Sequence, residues 1–267
     1  MLKDITIGQY FPGESTIHKL DPRVKIVLTF AFIILIFFVQ SYWAYLGILV
    51  YIGAVTLLSR IPVRYLLRGL KPLLFIIVLT FVINVFFTSG ERLIFKWWFI
   101  ALTWEGIHQA LFMALRLIFL VVGTSLLTLT TSPIALTDGI EQLLNPLKAI
   151  KFPAHELAMM MTIALRFIPT LLEETDKIMK AQMARGADFE SGNILQRAQS
   201  LVPLLVPLFI SAFRRADELA MAMESRCYRG GGNRTRMKTL RIHVRDYYAG
   251  LFTLLLILFV LWDGYIR

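Results

Sequence analysis

From Ile26 to Ser59 the chain carries no charged residue. A soluble domain has no place for so long an uncharged, apolar run, but a lipid bilayer does. One helix needs about 20 apolar residues to cross, so this run is too long for one span and just enough for two short ones. The polar pair Gln40-Ser41 marks the break, giving a tight helical hairpin over 24–39 and 42–58. Composition agrees: 57% of the residues are hydrophobic, 17% are charged, and the mean hydropathy is +0.66. Three more apolar stretches follow, at 73–89 with Pro72 suited to its first turn, at 108–130 and at 247–262. The expected fold class is therefore an all-α integral membrane protein with five transmembrane helices and with termini on opposite sides.

Basic residues set the orientation, because loops rich in Lys and Arg stay cytoplasmic. The N-terminal segment carries Lys3, Lys19, Arg23 and Lys25, and the loop after the hairpin carries Arg60, Arg64, Arg68 and Lys71. Both segments are expected inside, together with the N-terminus. The turn at Gln40 has no basic residue and is expected outside. Between Gly90 and Gln109, Arg92 and Lys96 balance Glu91 and Glu105, and Trp97, Trp98 and Trp104 suit an outer interface. Asp263 to Arg267 then end outside. A net charge of +10 suggests nucleic acid in a soluble protein. Here it fits loops that orient helices beside anionic lipid, so membrane lipid is the expected partner and nucleic acid is not. The first 25 residues lack the short apolar core of a cleaved signal. The single cysteine, Cys227, rules out an internal disulfide.

This divides the chain into a membrane region with four spans (1–130), a cytoplasmic insert (131–245) and a final span (246–267). The insert holds more than half of the 28 basic residues. It also contains two apolar pieces, LAMMMTIAL at 157–165 and LVPLLVPLFISAF at 201–213. Each is too short to cross, and the second holds Pro203 and Pro207. They are read as helices lying along the inner membrane surface or tucked under the spans.

The insert also repeats itself. In RFIPTLLEETDKIMKAQMAR, Leu171, Leu172, Thr175, Ile178, Met179, Gln182 and Met183 share one helical stripe. In LFISAFRRADELAMAMESR, Phe209, Ala212, Phe213, Ala216, Leu219, Ala220 and Met223 share another. Aligning Arg185 with Arg226 also aligns Asp176 with Asp217, Ala181 with Ala222 and Ala184 with Ser225. Each helix ends in a small residue, an arginine and a small residue: Ala184-Arg185-Gly186 and Ser225-Arg226-Cys227. One such end reads as a cap, since arginine favours a helix C-terminus and glycine closes one. Two matched ends suggest two docking points, where small neighbours admit a partner's backbone and arginine offers a planar fork of donors.

Catalytic signatures are missing. Gly230-Gly231-Gly232-Asn233 lacks the lysine and hydroxyl of a phosphate loop and reads as a flexible turn. His18, His108, His155 and His243 are scattered without metal-ligand spacing, and no serine or cysteine sits in a nucleophile motif. Neither an enzyme nor a bound cofactor or metal is expected. Arg116 is the one charge embedded in a span, as ready to bond neighbouring carbonyls as to serve a route. Spans without carboxylates weigh against a stand-alone secondary carrier.

Taken together, the residues resemble the transmembrane T component of energy-coupling factor (ECF) transporters, the EcfT/CbiQ family. GQYFPGESTIHKLDPRVKI, with Asp21-Pro22-Arg23, is similar to that family's opening segment. LRFIPTLLEETDKIMKAQMARGADF and VPLLVPLFISAFRRADELAMAMESRCYRG resemble its two coupling helices, with Cys227 standing where glycine is frequent. The resemblance is strongest to the shared T components of Gram-positive bacteria. It implies docking of two ABC ATPases (EcfA and EcfA′-like), which bind ATP and Mg, through Arg185 and Arg226. It also implies a membrane-embedded S component that recognises a vitamin or other micronutrient. The alternatives are a T component dedicated to cobalt or nickel and, more distantly, a secondary carrier.

Overall fold

The computed structural model describes residues 10–88, 93–97, 100–187, 189, 193–230 and 239–266. Lys3, Gly90, Glu91, Arg92, Trp98, Gly231, Gly232, Asn233 and Arg267 lie outside the described residues. The chain forms two compact units, one of Gly8–Gln142 with Thr239–Arg267 and one that includes Leu143–Lys238.

The first unit opens with the expected hairpin. Helix α1 (Pro22–Phe38) is N-capped by Asp21, whose side chain accepts a hydrogen bond from the Arg23 amide. Helix α2 (Tyr42–Ser59) is capped in the same way by Ser41, which accepts from the Trp43 amide. The serine that breaks the apolar run therefore also starts the second helix. A short amphipathic helix α3 (Val63–Leu70), a 3-10 turn (Lys71–Leu73) and α4 (Leu74–Phe87) follow. Pro72 sits in that turn, and the helical path begins at Val63 rather than near residue 73. The all-α class holds, with a short hairpin inserted after α4. Strands β1 (Leu93–Trp97) and β2 (Ile100–Thr103) pair antiparallel. Helix α5 (Trp104–Thr130) then begins at once, capped by the buried Thr103 hydroxyl, which accepts from the Gly106 amide. Helix α6 (Pro133–Leu144) and, after the second unit, α9 (Val244–Ile266) complete this unit.

Its core joins α1, α2, α5 and α9 through Phe32, Ile36, Ile48, Phe119, Leu126 and Val260. Outward faces carry Phe30, Val50, Leu57, Phe75 and Phe87, all more than 60% exposed. In water such surfaces would drive aggregation, whereas in a bilayer they meet acyl chains. The embedded Arg116 donates through Nη2 to the Val39 carbonyl at 3.1 Å, the C-cap residue of α1, and lies over the Phe112 ring. It thus satisfies a helix end. Asn84 turns back onto its own helix and donates to the Thr80 carbonyl.

Among the described residues, five helical segments are long and apolar enough to cross a membrane: Tyr42–Ser59, Val63–Phe87, Trp104–Thr130, Ala154–Ala184 and Val244–Tyr265. The protein is a multi-pass membrane protein. The number is the expected one, but the set differs. Helix α1, at 17 residues, falls just short in length. Ala154–Ala184 qualifies on its apolar first part, and its charges gather in the second.

The second unit corrects the reading of the insert. The apolar pieces at 157–165 and 201–213 are not separate helices. They lie within two long ones, α7 (Ala154–Ala184) and α8 (Ile194–Ser225), which run through Pro169, Pro203 and Pro207 without ending. A 3-10 segment (Asn145–Ile150) leads into α7.

A buried polar cluster fastens the start of α1 to the start of α9. Asp246 Oδ1 accepts from the Asp21 amide at 2.8 Å and its Oδ2 accepts from the His243 amide at 2.7 Å. Asp21 in turn takes two hydrogen bonds from the Arg23 guanidinium. Burial works against the charged Asp21 carboxylate, but hydrogen bonds from the Arg23 side chain and amide, with its charge, hold the pKa below the usual carboxylate range. Lys25 Nζ donates to the Thr130 carbonyl at the end of α5. Asp246→Ala strands two buried amide donors at about 1–3 kcal/mol each. We expect it to lower stability by about 3 kcal/mol in a detergent-micelle unfolding titration, with Asp246→Asn losing less. An unchanged Asp246→Ala midpoint would remove the cluster's structural role.

Candidate functional site

The two arginines sit at the ends of α7 and α8, which pack against each other in opposite directions. Gln182 near the end of α7 approaches Pro203 near the start of α8, and His155 at the start of α7 approaches Tyr228 just beyond α8. Between them Glu174 and Arg215 form an ion pair at 3.0 Å. Helix α8 tolerates its prolines partly through this pairing. Pro207 has no N–H to give the Pro203 carbonyl four residues back, and Gln182 Nε2 lies 3.5 Å from that oxygen.

Both helices end in the same hydrogen-bond pattern. At α7 the Gly186 amide donates to Met183 and the Ala187 amide to Gln182; at α8 the Cys227 amide donates to Glu224 and the Tyr228 amide to Met223. This is the Schellman closure, in which a left-handed residue turns the chain back over the last helical carbonyls. Gly186 adopts it with φ +90° and Cys227 with φ +56°. The closure fixes Arg185 and Arg226 as the cap residues of matched ends.

All six motif residues, Ala184, Arg185, Gly186, Ser225, Arg226 and Cys227, are exposed. Neither guanidinium has a hydrogen-bond or ion-pair partner among the described residues. The spacing is matched as well. Glu174 and Arg215 are 41 residues apart, the same offset that separates Arg185 from Arg226. The pair therefore marks a local two-fold relation between the helices. Each arginine lies eleven residues, or about 16 Å, beyond it along its own helix.

The packing face of α8 overlaps its apolar stripe only in part, at Ala212, Leu219 and Met223. Leu204 is buried, and Leu208, Ser211, Ala212, Arg215, Leu219 and Met223 are half-buried at helical spacing. Phe209 and Phe213 are 60% and 69% exposed. Leu201, Val202, Leu205, Val206 and Ile210 are exposed beside them, as are Met160, Met161 and Met183 on α7. Hydrophobicity alone points at Phe209 and Phe213. The signal for the true packing face is the repeat itself, which places Glu174 opposite Arg215.

A Cβ is disfavoured in the left-handed region by roughly 1–2 kcal/mol. Gly186→Ala should therefore loosen the end of α7, seen as about five- to tenfold faster amide exchange at Ala187. Cys227→Gly should slow exchange at Tyr228. Equal rates in both variants and wild type would rule out left-handed closure.

Comparison with known proteins places the geometry in context. Residues 13–238 match the sequence profile of the CbiQ family, described as a cobalt transport protein. The chain is 66% identical over 255 residues to a Thermosediminibacter oceani protein, with 96% of each chain covered. It is 61% identical over 258 residues to one from Clostridium kluyveri, again with 96% of each covered. Against a Bacillus subtilis protein the identity is 52% over 243 residues, covering 90% of this chain and 91% of the relative. All three relatives are named energy-coupling factor transporter transmembrane protein EcfT.

Proposed function

The chain belongs to the EcfT/CbiQ family of energy-coupling factor transporter membrane proteins, and from that premise we propose that it couples two ATPases to a substrate-binding membrane partner. The observation that carries this reading is the matched pair of helix ends, each presenting an exposed, unpartnered arginine beyond a shared crossing point. A guanidinium fork held on a closed helix end suits a groove lined with carboxylates or carbonyls. Two such forks suit two similar ATPases. The ATPases, not this chain, bind ATP and Mg and catalyse hydrolysis.

On this reading the segment 131–245 is the cytoplasmic coupling module, between a membrane region at 1–130 and a last span at 246–267. The N-terminus is cytoplasmic and the C-terminus outside. The exposed apolar faces of α7 and α8 receive the S component, which recognises a vitamin or other micronutrient. The family profile's description mentions cobalt, while the relatives' names specify no cargo. On this reading the S component, not this chain, selects the cargo.

Affinity capture of the detergent-solubilised chain from its native membranes tests the docking. Wild type should bring down two ABC ATPases and a small membrane protein, and Arg185→Glu/Arg226→Glu should lose the ATPases while retaining the membrane protein. Removing an interface arginine from a desolvated pair costs several kcal/mol, so capture should fall at least a hundredfold. Wild type coming down alone would sink the reading. Orientation has its own test, because Cys227 is a free, exposed thiol. A membrane-impermeant maleimide should label it in inside-out vesicles of the chain alone and leave it untouched in right-side-out ones. The reverse pattern would invert the topology.

A further inference from the structure

Within the first unit, α1, α2, α5 and α9 border a half-open cavity of about 350 Å³ that no side chain fills. Its walls are almost wholly carbon, from Leu28, Phe32, Val55, Leu126 and Phe252, with the small Ala249 on the α9 side. Packed helix faces rarely leave such space unfilled. The walls are also braced against collapse. Phe32 stacks on Tyr51 with ring centroids 5.8 Å apart, and Tyr51 stacks on Phe252 at 5.1 Å. Phe32 itself nests against Gly123, where a Cβ would stand 2.2 Å from the ring.

The cavity is half-enclosed, and its charged lining residues stand at the starts of α1 and α9. There Arg245, Tyr248 and Lys25 border it. Lys25 is committed to the Thr130 and His18 carbonyls. Arg245 is exposed and has no partner among the described residues. This is also the end of the bundle where the basic residues of the sequence gather, around Arg60 and Arg245. An occupant must therefore pair an apolar body with an anionic head at the level of the membrane surface.

We propose that this cavity is a binding site for one acyl chain of an anionic glycerophospholipid, with its phosphate held at Arg245. The volume lies within the range of sites that bury small ligands. A partner helix, about 10 Å across, needs a groove open along its length, which a half-enclosed pocket of this size does not provide. The site depends on membrane placement alone, so it stands or falls separately from ATPase coupling.

Native mass spectrometry of the full-length chain in detergent tests it, using phosphatidylglycerol and phosphatidylcholine with identical acyl chains. Wild type should retain one phosphatidylglycerol through delipidation at least fivefold better than phosphatidylcholine. Arg245→Gln should abolish that headgroup preference and still bind lipid. Ala249→Phe, which fills the cavity from α9, should lose retention of both lipids. Val55→Trp does the same from the opposite wall, should Ala249→Phe fail to insert. Equal retention of the two headgroups by wild type overturns the anionic assignment. Undiminished retention in both cavity-filling variants overturns the site.

Discussion

The buried carboxylate of Asp246 reconciles three helix ends that would otherwise compete for solvent inside a membrane-facing unit. It closes the first turn of its own helix through the His243 amide, as the third helical residue does in a capping box, and it accepts the Asp21 amide from a helix 225 residues earlier in the chain. Asp21 then caps α1, and Lys25, one turn further on, reaches the last carbonyls of α5. Positive helix N-termini, two carboxylates and two cations thus compensate one another at one depth. Unmet backbone groups are costly there, so the position of the first and last spans relative to α5 follows from this one cluster.

That cluster shows what the sequence tells directly and what it does not. Asp21-Pro22-Arg23 is legible as a helix start, because an acidic cap before a proline has a local physical meaning. The uncharged run and its Gln40-Ser41 break are legible for the same reason. The contact of Asp21 with Asp246 is not, because nothing near either residue encodes the other. The earlier start at Val63 was hidden because α3 is amphipathic and basic, so hydropathy discounts it. The strands at 93–103 were hidden by their shortness. The continuity of α7 and α8 was hidden by prolines. Proline usually signals a helix end, but here one orphaned carbonyl lies next to a glutamine of the neighbouring helix.

The arginine ends were legible as a repeat, and their shared closure adds a backbone reason for it. Cys227 adopts the left-handed conformation despite its side chain. The closure is therefore imposed by the helix end and its neighbours rather than by glycine alone. The apolar stripe of α8 misleads because a membrane protein has two kinds of apolar face, one packed on itself and one offered outward, and periodicity cannot separate them.

The pairing of Glu174 with Arg215 has a mechanical meaning. It marks the midpoint between two arms of equal length, each tipped by a hydrogen-bonded, closed helix end. Forces applied to both tips in the same direction carry the pair bodily. Forces on a single tip are shared with the neighbouring helix, because each tip lies beside a contact between the two, Gln182 with Pro203 near one and His155 with Tyr228 near the other. The Glu174–Arg215 pair is half-open to solvent and adds little by itself, so it is the packed seam and the contacts near both ends that make the two helices one stiff unit.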